Sequence, residues 1–360
     1  MRVFISGWGA VTPAGWGVAA LSEALDQGEP LPTQPLNRPG WENSVRARVV
    51  PNPVARPDFL AHPRLRRSSP ITHYAAAAAL EALGSLRSGP NRAGRLGIVV
   101  CLQAGCVNYS CRFLDETLNN PSTASPLLFP ETVYAAPASH IAALLGSPGP
   151  GSTGAPGQSA TEVSLAYTLV GDPASFLQGV TIGGDWLAQG RVDACLVIGA
   201  EEINWILADA LWHLDRSAVI TGGAGALCLS SDQQFRSGIE LAAITDAHTY
   251  TARHGRRQAA QAMRGQLGEG GSAELLCDGL GERSRADAAE AAAWRDWTGP
   301  RLSLKRVLGE GLMASAAWQC VAACEAVRNG RFAAATVSLV GSNQQAIGAR
   351  FVRASKRASV

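Results

Sequence analysis

Short runs of apolar residues separated by helix-length segments constrain this chain more than any other feature. Leu96-Gly-Ile-Val-Val-Cys-Leu102 contains no polar residue, and a strand can dispense with alternation only where both of its faces are covered. Further strands are expected at 164–170, 194–199 and 224–230, with helices at 71–86, 108–118, 136–145 and 174–189. The order continues with a strand at 239–245, a helix near 252–265, a short strand at 274–277, helices at 284–297 and 312–328, and strands near 335–340 and 346–353. At the N-terminus, Val3-Phe4-Ile5 reads as a strand ended by Gly7 and Gly9, and Thr12-Pro13 opens a helix to about Leu25. Residues 27–70, rich in Pro, Asn and Arg, read as a surface excursion with at most short strands. The Gly/Pro/Ser-rich stretch 146–157 reads as a loop. Helices alternating with strands predict an α/β chain with a mostly parallel sheet system. Two such halves, 1–232 and 233–360, suggest a layered αβαβα arrangement.

Composition narrows the class. A chain of 360 residues, 46% apolar and 17% charged, can bury a large core and reads as a soluble globular protein. Its net charge of +2 is too small to attract nucleic acid or a membrane as a whole. Arg64, Arg66 and Arg67 make a local basic cluster that reads as a solvated face. No apolar run has the length of a membrane span, and the first residues look like a strand rather than a signal peptide, so a cytoplasmic location is expected. Eight dispersed cysteines fit a reducing compartment. Cys101, Cys106 and Cys111 recur every five residues, a spacing that fits no metal site, and no cofactor motif stands out. Cys320 and Cys324, one helical turn apart in an Ala-rich segment, read as core.

One segment has the pattern of a nucleophile site. Residues 166–179 read as a buried strand, a tight turn and a helix, an arrangement that presents a side chain at the positive end of a helix. The turn is Gly171-Asp172-Pro173-Ala174. It holds neither thiol nor hydroxyl.

Several segments in shared order resemble the thiolase-fold β-ketoacyl synthases, close to the chain-elongating condensing enzymes of fatty acid and type II polyketide synthesis. These are 4–15 with its Phe-Ile-Ser-Gly opening, Phe129-Pro130 followed by Ala135–Ile141, Ile198-Gly-Ala-Glu-Glu202, the Gly-rich run 221–229, and Lys305-Arg-Val-Leu-Gly-Glu-Gly311. The likeness runs over nearly the whole chain, with a shortened second half. Each fragment alone is a weak signal. Their common order carries the fold.

The resemblance implies a Cys acyl acceptor and two His that stabilise the enolate or its oxyanion after malonyl decarboxylation. Counting back from Ile198 places the Cys position at Pro173; counting forward from Gly149-Pro150 places it at Gln158. Pro173 is favoured, because a strand precedes it and proline suits the first turn of a helix, whereas Gln158 follows a loop. The first His position falls at Asp278, or at Gly279 one residue on, and the second at Glu310, while Lys305 is retained. An ionised carboxylate only accepts hydrogen bonds and cannot stabilise an oxyanion. Asp278 and Glu310 are expected either to form an acid/base pair or to be held by Lys305 or Arg306. Cys277 offers a relocated nucleophile without an identifiable base, and His140 reads as a packed residue.

The resulting expectation is a non-catalytic, chain-length-factor-like subunit. It would pair with an active ketosynthase, as a heterodimer or else a homodimer, through the strand Ser164–Val170 and the helix after it. It would shape the tunnel for an acyl chain carried on the phosphopantetheine of an acyl carrier protein. On the helix after Gly105, the bulky Val107, Tyr109 and Phe113 are the expected tunnel gate, with core packing as the alternative. Rival readings are a diverged acyltransferase or malonyl carrier-protein decarboxylase using Gln158, Asp278 and Glu310, or a structural homodimer or carrier-protein binding module.

Overall fold

The computed structural model describes residues 2–37, 40–42, 44–84, 94–146, 162–231, 238–251, 255–268, 270–281 and 285–354. Gln158 lies outside them. The strands are β1 (Val3–Thr12), β2 (Gly15–Trp16), β3 (Gln34–Leu36), β4 (Val45–Arg48), β5 (Arg95–Leu102), β6 (Glu162–Val170), β7 (Ala194–Glu201), β8 (Ile220–Thr221), β9 (Gly223–Ser230), β10 (Ile239–Ile244), β11 (His248–Thr249), β12 (Leu275–Asp278), β13 (Arg301–Ser303), β14 (Ala334–Val340) and β15 (Gln345–Arg353). The α-helices are α1 (Val18–Gln27), α2 (Pro70–Leu83), α3 (Val107–Asn119), α4 (Ala136–Gly146), α5 (Ser175–Ala188), α6 (Trp205–Leu214), α7 (Arg256–Leu267), α8 (Arg285–Ala293), α9 (Leu304–Leu308) and α10 (Met313–Arg328).

The main strands run in the order β13-β12-β14-β15-β10-β1-β9-β7-β5-β6. In the first half, β6–β5 and β5–β7 are parallel, while β7–β9 and β9–β1 are antiparallel. The second half repeats that sequence of ladders: β13–β12 and β12–β14 are parallel, then β14–β15 and β15–β10 are antiparallel. Val3↔Leu241, Phe4↔Glu240 and Ile5↔Ile239 join the halves. The sheet is therefore evenly mixed rather than mostly parallel. Part of the reason is local, since only residues 341–344 separate β14 from β15, and so short a link permits only an antiparallel pair.

Alternation along each strand builds the layers. On β5, Val99 and Cys101 face a central core with α5 and α10, whereas Leu96, Ile98 and Val100 face an outer core with α2 and α4. In the second half, Leu275 and Cys277 face the same central core, and Leu276 faces α7 and α8. Taking each half of this continuous sheet as one sheet, the sequence of layers is α2/α4, first sheet, α5/α10, second sheet, α7/α8, an αβαβα arrangement. Fifteen residues of α10, from Met313 to Val327, are buried. A helix between two sheets must be largely apolar on every side, and α10 supplies Ala at six of those fifteen positions.

One expectation changes at the first strand, and with it the helix expected to open at Thr12-Pro13, which begins only at Val18, after β2. β1 continues through Gly7 and Gly9 instead of ending there. A Cβ on Gly7 would lie 2.1 Å from the Ala82 carbonyl oxygen and one on Gly9 2.2 Å from that of Ala78, so both glycines admit the backbone of α2 against the strand. The excursion at 27–70 contains β3 and β4, which join β8 in a small sheet covered by α6.

Candidate functional site: a sealed elbow, a charged pocket and an open edge

The elbow is built by β6, the turn at 171–174 and the start of α5. The Pro173 carbonyl accepts the Phe176 N–H at 3.2 Å and the Asp172 carbonyl the Ser175 N–H at 2.9 Å, which winds the turn into the helix. Asp172, not Pro173, dominates its electrostatics. Its buried carboxylate accepts the Gln344 N–H at 3.0 Å, and the neighbouring backbone of Asn343 and Gln345 also favours its charged form. Burial nevertheless raises its pKa, and one oxygen, Oδ1, has no partner among the described residues. A Cβ on Gly341 would fall 1.8 Å from the other oxygen, so glycine is required where the β14–β15 turn closes over the acid. Tyr250 donates its hydroxyl to the Gly341 carbonyl on the far side.

Ser175, the hydroxyl nearest this turn, escaped the sequence reasoning. Its Oγ is buried and accepts a hydrogen bond from Gln345 Nε2 at 2.9 Å. A serine attacks only when a base takes its proton, and among the described residues no imidazole or amine is bonded to it. An amide that donates to Oγ leaves the hydroxyl unactivated.

The other two positions lie in a charged network of the second half. Asp278 ends β12 and is fully buried; Ser303 Oγ donates to it at 2.6 Å, the Leu280 N–H at 3.2 Å, and Arg301 stands 3.6 Å away. By the alternation along β12, its side chain extends toward α8, on the opposite face of the sheet from α5. There it meets Glu290, whose carboxylate accepts the Gly279 N–H at 3.2 Å. Burial first, then the charge of Asp278, pushes Glu290 up to about 8, so it keeps its proton at neutral pH. Burial likewise raises Asp278.

Glu310 is held differently. Its Oε2 lies 2.6 Å from Lys305 Nζ, and its Oε1 accepts the Leu312 N–H at 2.8 Å. Burial alone would lower the lysine pKa, but Glu310, with Asp287 and Glu290 nearby, reverses the effect and raises it. Lys305 thus links Glu310 electrostatically to the Asp278–Glu290 pair, and a polar cleft beside it is lined by Arg48, Asp215, Arg306 and Asp287. Ionic pairing with Lys305 accounts for Glu310, whereas hydrogen bonds hold Asp278. Asp287 and Glu290 stand three residues apart on a helix, a spacing that places both on one face and was the available signal for this site. Cys277 is fully buried with its thiol pKa pushed up by desolvation, which disfavours the thiolate. His140 bonds Glu131 through Nε2 at 2.8 Å, while Nδ1 is buried without a partner among the described residues.

At the other end of the first sheet the surface is open. β6 pairs with β5, and its second edge carries no strand among the described residues. No residue of β6 is buried, so the strand expected to be buried is an edge strand, with Tyr167 and Val170 each 50% exposed. Val107, Tyr109 and Phe113 lie on α3, none of whose residues is buried; they are half-buried, so packing in a core does not describe them. The Phe113 ring meets the largely exposed Phe129 at a centroid distance of 5.7 Å. Arg64, Arg66 and Arg67 are exposed. No helix among the described residues is long and apolar enough to cross a membrane.

No family model matches the chain, and no curated protein matches its sequence. Solved structures match along nearly its whole length. The ishigamide ketosynthase/chain length factor superposes with a TM-score of 0.77 at 18% identity, over 99% of this chain and 100% of that one. A β-ketoacyl synthase from Burkholderia phymatum gives 0.77 at 17% identity, over 98% and 100%. A ketosynthase in complex with its chain length factor from Xenorhabdus doucetiae gives 0.76 at 15% identity, over 98% of each chain. The chain therefore has the layered, thiolase-like fold of the β-ketoacyl synthases and chain length factors.

Proposed function

We propose that this chain is a non-catalytic, chain-length-factor-like subunit that pairs with an active ketosynthase and shapes its acyl tunnel. The observation that carries the reading is the elbow. The place where the fold would present a nucleophile holds Gly171-Asp172-Pro173-Ala174, and the Asp172 carboxylate accepts the backbone N–H of Gln344 in the β14–β15 turn. That donor is already bonded to a resident carboxylate, and electrostatic stabilisation of an oxyanion needs it free. Both imidazole positions hold carboxylates fixed by Ser303 and by Lys305. Nucleophile and oxyanion donors are lacking together.

The open β6 edge supports pairing, because an unpaired strand edge is a template for another strand. Similar solved structures include a ketosynthase with its chain length factor and a ketosynthase with an acyl carrier protein. The partner would hold the thioester delivered by a carrier protein, while α3 of this chain limits the length of the acyl chain through Val107, Tyr109 and Phe113.

The gate is tested on the complex with a genomically neighbouring, intact Cys-His-His ketosynthase. Tyr109→Ala and Phe113→Ala are expected to lengthen the product in a complex of unchanged melting temperature, read by mass spectrometry. An unchanged product distribution in such a complex would remove the gate.

A further inference from the structure

β7 ends at Glu201, and Glu202 follows it; both are buried, each 1% exposed. They reach different targets. Glu201 accepts the N–H groups of Gln103 and Ala104, in the connection from β5 to α3. Glu202 accepts the Ser69 hydroxyl at 2.6 Å, the Ile71 N–H at 3.0 Å in the first turn of α2, and the Asn108 N–H at 2.8 Å in the first turn of α3. A single carboxylate lies between two helix N-termini, whose first N–H groups lack intrahelical acceptors and whose dipoles both favour negative charge. The side chain of Asn108 adds a bond to the Ile203 carbonyl at 3.2 Å and accepts one from Asn204 at 3.1 Å. Beyond this start, α3 has little to hold it, since none of its residues is buried and its ring contact is with the largely exposed Phe129.

We propose that Glu202, seconded by Glu201, is the positioning residue that fixes where α3 stands, by tying its first turn to the first turn of α2. The inference rests on the reading of α3 as the tunnel gate: an acyl tunnel has a defined length only if its gate helix keeps one position. Glu202 touches no acyl chain in this account and acts through the helix. A glutamine at 202 keeps the shape but replaces one acceptor oxygen with an N–H₂ group facing backbone donors, whereas Ser69→Ala removes a bond on the α2 side alone.

Hydrogen exchange on the full chain tests the anchor. Glu202→Gln is expected to speed amide exchange across 104–113 at least tenfold while leaving α5 unchanged, and Ser69→Ala is expected to leave 104–113 as in the wild type. If Glu202→Gln fails to fold, Glu202→Asp, which keeps the charge but shortens the reach, is expected to loosen the same segment. Unchanged exchange at 104–113, or an equal increase throughout the chain, would overturn the proposal. The ketosynthase complex supplies the second readout. Glu202→Gln should broaden the product lengths and add nothing to Phe113→Ala, as expected of two residues acting through one element. If Phe113→Ala lengthens the product and Glu202→Gln does not, the positioning role is wrong and the gate stands; if neither changes it, the gate itself is wrong and the positioning role falls with it.

Discussion

Helices α10 and α3 are of comparable length, sixteen and thirteen residues, and have opposite fates. α10 lies between two sheets and is buried on every side, whereas α3 follows β5 beside the open edge of the first sheet and buries no residue. Apolar content does not separate them, since α3 carries Val107, Phe113, Leu114 and Leu118. What differs is whether the chain itself supplies a cover. Leu114, Leu118 and Phe129 are more than half exposed, an apolar surface that is costly to leave in water unless a partner takes it up. Among the described residues the centre of the molecule is covered, and its β6 end is not.

The largest effect should come from breaking the covered side. Trp318 of α10 is fully buried, and its Nε1 donates to the carbonyls of Val11 and Ala224 at 3.1 and 2.9 Å. Trp318→Ala leaves a cavity and two unsatisfied acceptors, and should cost about 3–5 kcal/mol in urea unfolding. Tyr167→Ala at the open edge should stay within about 0.5 kcal/mol in the isolated chain. Equal losses would erase the distinction between the two regions.

A smaller effect sharpens the comparison through pH, because buried carboxyls titrate unlike exposed ones. Glu290 and Glu201 both have folded pKa values pushed up to about 8 by burial. A carboxyl raised from about 4.5 when unfolded binds more proton in the folded state, so its contribution is complete below about pH 4.5 and is lost as pH rises through about 8. The exposed groups lowered by ion pairing, Asp193 and Asp296, act in the opposite sense and only in acid. Melting temperature should therefore fall from pH 5 to pH 8, and Glu290→Gln should flatten that fall. Identical slopes for variant and wild type would mean that Glu290 does not carry its proton.

Much of the fold was legible because it is written locally. The polar-free run of β5 announced a strand covered on both faces, and the segment 166–179 announced strand, turn and helix in the right order. The misses are places where a distant element decides. Gly7 and Gly9 read as stops, yet they sit inside β1 because the backbone of α2 passes against them. α6 shows no single apolar stripe, since one side covers the small sheet while Ile206 and Leu214 stay exposed. At the candidate site, the turn without thiol or hydroxyl, Gly171-Asp172-Pro173-Ala174, was visible in the sequence, but the seal on Asp172 was not. Its partners lie about 170 residues away in the turn between β14 and β15.

The central claim is that this chain completes another rather than catalysing alone. Its most direct test is co-expression with the neighbouring ketosynthase, followed by the mass of the purified species and mass-spectrometric location of an acyl label supplied on carrier protein. The account predicts a one-to-one heterodimer, with the label on the partner's cysteine and none on this chain. A monodisperse monomer at micromolar concentration beside that ketosynthase, or an acyl group on Ser175 or Cys277, would contradict it.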